Sequence, residues 1–276
     1  MVDLNQKLIC LLTDFGLKGE HYIASMKGVI LKINSNIEII DITHNITPYS
    51  IIEASYVLRT TYKYFPKGTV FIIVVDPGVG SSREILLLKT ISNHYFIGPN
   101  NGIFSDISPD DIVNSIEIQN NEFFNKPTSN TFHGRDIMAP VGAHLISGIP
   151  LNKFGPEFNL NNLKESPLVY NVDIEKKLLR CSIQYIDSFG NGITNINIIN
   201  NRIQNTTLEI DKDTKINIDI NGKFYEGFFT SHFSRVSIET ILFLVGSTSY
   251  LEISINQGSA AEKLGFKVGD IVTFKL

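Results

Sequence analysis

Three aspartates each follow an apolar run. Asp14 comes after LICLLT, Asp41 after IEII and Asp76 after TVFIIVV. Short continuous apolar runs suit strands buried on both faces, and open parallel sheets bind ligands beyond the carboxyl ends of their strands. Three carboxylates on one such edge make a polar cluster at the place where a ligand is expected. Taken singly, each aspartate also suits a turn or a helix cap.

Further groups with chemical potential lie in loops. Asp76-Pro77-Gly78-Val79-Gly80 is a rigid turn followed by glycines, and Arg83 comes seven residues after Asp76. A loop of that length can return the guanidinium to the carboxylate, as an ordinary ion pair or as part of a site. His133 precedes Gly134 at the entrance of a helical stretch, where either a turn histidine or a proton-handling group fits. Asp136 reads as the N-cap of that helix. Further on, Asp187-Ser188-Phe189-Gly190-Asn191 forms a glycine-rich turn between two strand-like runs. It reads as a hairpin turn whose aromatic face and amide could also hold a purine. The segment 251–261 (LEISINQGSAA) leads a strand through Gly258 into a short helix, whose free N–H groups suit either a ligand or a plain turn.

The elements that must position these groups follow from periodicity. Leu8–Leu12 and Ile37–Ile40 read as strands, as does the β-branched Thr69–Val75. Tyr22, Ile23, Met26, Ile30 and Ile33 recur at helical spacing. Ser50 and Glu53 have the form of a capping box opening a second helix, to about Tyr64, and 136–147 reads as a third, ended by Gly148. The stretch between 76 and 136 is less regular. Alternation of strand and helix predicts an α/β domain with a mainly parallel sheet over residues 1–160. Beyond a polar stretch at 156–167 the pattern changes. Seven short strand-like runs follow: 179–186, 193–198, 215–220, 224–229, 241–245, 250–255 and 271–274. Asn221-Gly222 is a hairpin signal between two of them, and 260–264 reads as one short helix. This predicts an all-β, barrel-like domain over residues 168–276.

Composition bounds the function. The chain has 276 residues, of which 43% are hydrophobic, enough to bury a core in two domains. Its net charge of −4 gives no footprint for nucleic acid. No window approaches the ~20 apolar residues of a membrane span, and the N-terminus lacks a basic region followed by a long apolar stretch. A cytoplasmic protein is expected. Cys10 and Cys181 sit far apart in apolar runs and read as buried free thiols rather than a disulfide.

Six strings in order resemble the S-adenosylmethionine (SAM) hydroxide adenosyltransferases, the SAM hydrolases related to fluorinases and chlorinases. They are LTDFG at 12–16, DITHNITPY at 41–49, VDPGVG at 75–80, TFHGRDIMAP at 131–140, IDSFGNGITNI at 186–196 and LEISINQGSAA at 251–261. The resemblance covers essentially the whole chain. It implies hydrolysis of SAM to adenosine and L-methionine without a cofactor or a metal. It also implies a homotrimer whose active sites join the first domain of one subunit to the second domain of the next. Asp76, Arg83 and His133 fall on the set that holds the attacking water, a set from which the halogenating relatives depart. Asp14 falls where the ribose hydroxyls bind and Tyr49 where an aromatic walls the ribose and sulfonium. Phe189 and Asn191 fall at the adenine site, and Asp187 where the methionine ammonium is held. Asn100, where aspartate is expected, and Met138, where phenylalanine is common, depart from the pattern. Asn100 puts a supporting role for its loop in doubt.

The chemistry suits these groups. A sulfonium releases a neutral thioether, so no general acid is needed. The demand is a water held in line with the C5′–S bond, whose hydroxide character a guanidinium stabilises while a carboxylate and an imidazole share its proton. Three other readings compete. One is a halogenase of the same superfamily. Another is a phosphohydrolase with Asp14, Asp41, His44 and Asp76 around a metal. The third is an adenosyl-binding sensor without turnover.

Overall fold

The computed structural model describes residues 7–276, and the chain divides into two compact units at Ser166/Pro167. In the first unit the chain runs β1 (Leu8–Thr13), α1 (Glu20–Ile33), β2 (Glu38–Thr43), α2 (Ile51–Thr61), β3 (Val70–Val74), β4 (Ile85–Thr90), β5 (Tyr95–Pro99), β6 (Ile112–Glu117) and α3 (Ala139–Ile146). One six-stranded sheet results, ordered β2-β1-β3-β5-β4-β6. The strands β2, β1, β3 and β5 are parallel, whereas β4 runs antiparallel to both β5 and β6. The sheet is therefore mainly parallel, as the alternating pattern predicts. Its antiparallel edge comes from the stretch that looked irregular in sequence.

Both faces of the sheet are covered. Ile9 and Leu11 of β1 pack with Met26 and Ile30 of α1 and Val141 of α3. The alternate residues Leu8, Cys10 and Leu12 pack with Ala54 and Leu58 of α2. Period-two alternation sends successive side chains to opposite faces, which is why the first strand reads as a continuous apolar run. Ser50 caps α2 by accepting from the Glu53 N–H, but the Glu53 carboxylate reaches back to the Thr47 N–H rather than to Ser50.

The second unit contains β7 (Tyr170–Asp173), β8 (Leu178–Ile186), β9 (Gly192–Ile199), β10 (Arg202–Ile203), β11 (Thr214–Ile220), β12 (Lys223–Phe229), β13 (Ile241–Val245), β14 (Tyr250–Ile255), α4 (Ala260–Leu264) and β15 (Ile271–Lys275). The order β9-β14-β13-β12-β11-β15-β8 is closed by pairing of β8 with β9, which makes a seven-stranded barrel among the described residues. Its strands are the seven legible in the sequence. The turn between β11 and β12 has Asn221 and Gly222 both at positive φ, 51° and 79°, with Ile220 facing Lys223. This is the primed turn that the dipeptide signals. Leu251, Ile253 and Ile255 fill the barrel core, so Glu252, between them, faces out of it.

No described helix is long and apolar enough to cross a membrane. Cys10 and Cys181 are free and buried. Burial pushes the Cys10 thiol up to about 12 and the Cys181 thiol higher still, so neither is a poised nucleophile.

Candidate active site

The carboxyl ends of β1 and β3 open onto a cleft of about 350 Å³ in the first unit, lined by Asp14, Tyr49, Asp76, Phe132 and His133. Asp76 lies two residues past β3. Its carboxylate takes the Gly78 N–H on Oδ1 (3.0 Å) and the Arg83 Nη2 on Oδ2 (2.5 Å). The seven-residue loop thus folds back as its length allows. The ion pair is largely withdrawn from water, with side chains 5% exposed for Asp76 and 13% for Arg83. Arg83 Nε and Nη1 are buried without a partner. Buried donors left unpaired are rare.

The electrostatics of the cluster is set by burial. Desolvation lifts the Asp76 carboxyl above its ordinary range, against the opposing pull of Arg83, the Gly78 N–H and His133, with Asp14 adding a further upward push. Desolvation also lowers Arg83, which Asp76 and Glu84 partly counter. His133 falls below the ordinary imidazole value because of burial and the Arg83 charge, against the opposing Asp76 and Asp136. Burial thus favours the neutral imidazole of His133, while the Arg83 charge works to keep Asp76 a carboxylate.

Two close approaches bring His133 to this carboxylate. Gly80, at φ 81°, lies so near the Asn130 carbonyl that a Cβ would stand 2.4 Å from its oxygen. The loop carrying Asp76 and Arg83 therefore packs directly on the loop carrying His133. Gly134 lies against Val74 at the end of β3, with 2.9 Å from a would-be Cβ to Cγ1. The glycine after the histidine lets the loop approach the strand, and both residues line the cleft.

Asp136 is not a helix N-cap. It is fully buried, inside a π-helical turn, Gly134–Met138, that precedes α3. Its carboxylate receives Arg135 Nε (2.7 Å) and Nη2 (2.8 Å), Asn125 Nδ2 (2.8 Å) and the Ser129 N–H (2.9 Å). Burial raises this carboxyl, but those bonds outweigh it and hold it below its ordinary value. Asp136 thus ties down the 125–129 loop that leads to His133. Arg135 also lies 5.0 Å over the Phe132 ring, which packs edge-on against Phe15 and Tyr22 in the cleft wall.

Asp14 Oδ2 accepts the Tyr49 N–H at 2.8 Å, and Tyr49 sits at φ 70° and is 70% exposed. Asp41 stands apart from Asp76. His44 Nδ1 lies 2.9 Å from Thr13 Oγ1 and its Nε2 lies 3.1 Å from Asp41 Oδ1, close enough for an ion pair when the ring is protonated, while Lys27 holds Asp41 Oδ2 at 2.5 Å. Among the described residues no three metal-ligating side chains converge, so Asp14, Asp41, His44 and Asp76 do not form the shared metal site of the phosphohydrolase reading. The chain Lys27–Asp41–His44–Thr13 fixes the end of β1 beside Asp14. Sequence reasoning missed this bracing, although the Asp-x-x-His spacing at 41–44 was its visible signal.

Asn100 departs from the expected aspartate for a local reason. It is 2% exposed, and its Nδ2 donates to Glu84 Oε2 (3.2 Å) and the Asn162 carbonyl (3.1 Å), while its Oδ1 accepts the Lys164 N–H (2.9 Å). Two acceptors face the amide, and a carboxylate there would leave both without a donor. Met138 is fully buried in the core under α3.

The remaining expected residues lie in the second unit. Asp187, Phe189 and Asn191 line a second cleft of about 790 Å³, together with Glu252, Phe233 and Asn256. Asp187 Oδ1 accepts the Phe189 N–H (3.0 Å) and the Asn191 N–H (2.9 Å), and Oδ2 accepts Asn191 Nδ2 (2.8 Å). Its carboxylate is largely spent on shaping the turn. That turn presents Phe189, 76% exposed, and orients Asn191, whose Oδ1 stays available as an acceptor. Glu252 was not picked out in the sequence.

Comparison with known proteins agrees with this division. The profile of the SAM hydroxide adenosyltransferase N-terminal domain matches residues 9–155, and that of the C-terminal domain matches residues 181–273. An (R)-S-adenosyl-L-methionine hydrolase of Methanocaldococcus jannaschii is 34% identical over 93% of this chain and 91% of its own length. A fluorinase of Nocardia brasiliensis is 23% identical, over 98% and 97%. A crystal structure of an uncharacterized conserved protein from Thermotoga maritima superposes with a TM-score of 0.84 at 36% identity, covering 97% of this chain and 100% of that one. With both domain profiles matched over most of its length, the chain belongs to the SAM hydroxide adenosyltransferase family.

Proposed function

We propose that the protein hydrolyses S-adenosyl-L-methionine to adenosine and L-methionine by attack of water on the ribose C5′ carbon. The observation that carries this reading is the buried Asp76–Arg83 pair beside His133, with two Arg83 donors uncommitted. The relatives named as hydrolases, at 28–34% identity, stand nearer than the fluorinases at 21–23%, which favours water over halide as the nucleophile.

In the proposed reaction the water oxygen forms the new C5′–O bond as the C5′–S bond breaks. The bonding pair goes to sulfur, which leaves as the neutral thioether of methionine. The water loses one proton, so the balance is SAM plus water to adenosine, methionine and a proton. Arg83 Nε and Nη1 stabilise the developing hydroxide. Asp76 orients the water, and His133, neutral at pH 7, accepts its proton or hydrogen-bonds it. Asp14 takes the ribose hydroxyls and Tyr49 covers the sugar. Phe189 stacks on adenine, and Asn191 offers Oδ1 to its amino group. The sulfonium is its own activated leaving group, so the reaction calls for neither a metal nor a cofactor.

A homotrimer with shared sites belongs to the same proposal. The proposed water-handling residues Asp76, Arg83 and His133 lie in the first unit and the proposed purine-binding residues Phe189 and Asn191 in the second, and cyclic head-to-tail association would give identical composite sites. Two buried free cysteines suit a reducing compartment, and a cytoplasmic setting is part of the reading. The experiment that tests the function is product identification after incubation with SAM in isotopically labelled water.

A further inference from the structure

Resting on the proposed SAM-hydrolase reading, we infer that Glu252 is a specificity-determining residue whose carboxylate receives the α-ammonium group of the substrate in the second cleft.

The geometry begins with strand alternation. Glu252 of β14 lies opposite Leu244 on β13 and Ile193 on β9. Its neighbours Leu251 and Ile253 point into the barrel, so Glu252 stands on the outer face, at the wall of the 790 Å³ cleft. An outward carboxylate on a barrel normally meets solvent or a basic neighbour. This one is half-buried, and among the described residues it has no hydrogen-bond or ion-pair partner.

Its placement is built in. The carboxylate lies over the backbone of Gly246, where a Cβ would stand 1.6 Å from Glu252 Oε1. Gly246 is not among the glycines at positive φ, so its conformation does not demand glycine. The space for the Glu252 carboxylate does.

The cleft itself selects for a cation. Its charged lining consists of Asp187 and Glu252, and it contains no Lys, Arg or His. Asp187 already accepts three hydrogen bonds from its own turn, so it contributes charge more than free acceptor capacity. Glu252 has both oxygens available. Burial and the Asp187 charge push its carboxyl up to about 7, a cost that an arriving ammonium removes. Methionine carries one primary ammonium, on the carbon bearing its carboxylate, and a three-donor ammonium suits a free carboxylate.

The test compares SAM with its deamino analogue, which keeps the adenosyl sulfonium and the carboxylate but lacks the amino group. Wild-type protein should prefer SAM by about tenfold or more in kcat/KM, the scale of a charge-assisted hydrogen bond. In Glu252→Gln that preference should collapse to within about threefold, with the loss on SAM falling in KM rather than in kcat. Circular dichroism confirms that the variant is folded. If it is not, the milder Glu252→Asp, which keeps the charge but withdraws it by one methylene, should show a reduced SAM preference in calorimetric binding of the two compounds, and an unreduced preference would overturn the inference. An unchanged SAM preference in folded Glu252→Gln, or equal binding of both compounds by wild type, overturns the inference. Absence of any SAM cleavage by wild type would strike the proposed function instead, while binding of the two compounds to wild type and to Glu252→Gln would still report on Glu252.

Discussion

Arg83 Nη2 donates to Asp76 Oδ2 across a loop of seven residues, and the guanidinium keeps two further donors buried and unpaired. A purely structural ion pair would satisfy those donors, because an unpaired buried N–H costs roughly 1–3 kcal/mol. In the proposed reaction those two donors are the ones that meet the water entering the cleft.

Substitution should separate the roles within the cleft. Asp76→Ala, Arg83→Ala and His133→Ala should each lower kcat by about 10²–10³ while KM changes only a few-fold, since their contacts are to the water and strengthen in the transition state. Asp14→Ala should act mainly through KM, because it removes the acceptor for the ribose hydroxyls. Steady-state kinetics and calorimetry check the split. Abolished SAM binding in the first three variants, with intact binding in Asp14→Ala, would reverse the assignment.

The pH profile follows from the shifts around His133 and Asp76. His133 is lowered from about 6.5, so its neutral form persists as pH falls through the ordinary imidazole range. Asp76 is raised, so its carboxylate is the group lost earlier than usual on acidification. The acidic limb of kcat/KM should therefore lie between the ordinary carboxylate and imidazole values, roughly between 4 and 6.5. In His133→Asn the residual limb should move toward that of Asp76 alone. A wild-type midpoint at or above 7 would contradict the arrangement.

Assembly is testable by mixing. Asp76→Ala chains alone should be nearly inactive and Asn191→Ala chains weak. Refolded together, they should form mixed trimers in which some sites join two intact halves, and activity should rise above the mean of the parents. A monomer by light scattering, or no rescue in oligomers shown to be mixed, would remove the shared site.

The sequence disclosed the architecture best where local rules dominate. The seven barrel strands and the Asn221-Gly222 turn follow from alternation and from the positive φ that only such residues adopt readily. The strands β4, β5 and β6 were not legible. Their runs, ILLLKT, YFIGP and IVNSIE, are joined by a short turn and then by a longer loop holding only a 3-10 turn at Pro109–Asp111, with no α-helix between them, and nothing local marks β4 as antiparallel to its neighbours. The Asp76–Arg83 pairing could be anticipated from loop length alone. The surroundings of His133 could not, because they depend on Gly80 packing against Asn130 and on Asp136 gripping residues seven and eleven positions earlier. Asp136 looked like a cap for the same reason: a polar residue at a helix entrance has a local explanation, and its partners across the loop have no sequence signature. Glu252 was invisible because its isolation is a property of the folded cleft.

The central claim is that water attacks C5′ directly, and one measurement addresses it. Protein incubated with SAM in oxygen-18 water, with products identified by mass spectrometry, should yield L-methionine and adenosine carrying one heavy oxygen at the 5′ position. Adenosine without the label, or 5′-methylthioadenosine or S-adenosylhomocysteine in its place, would contradict the account.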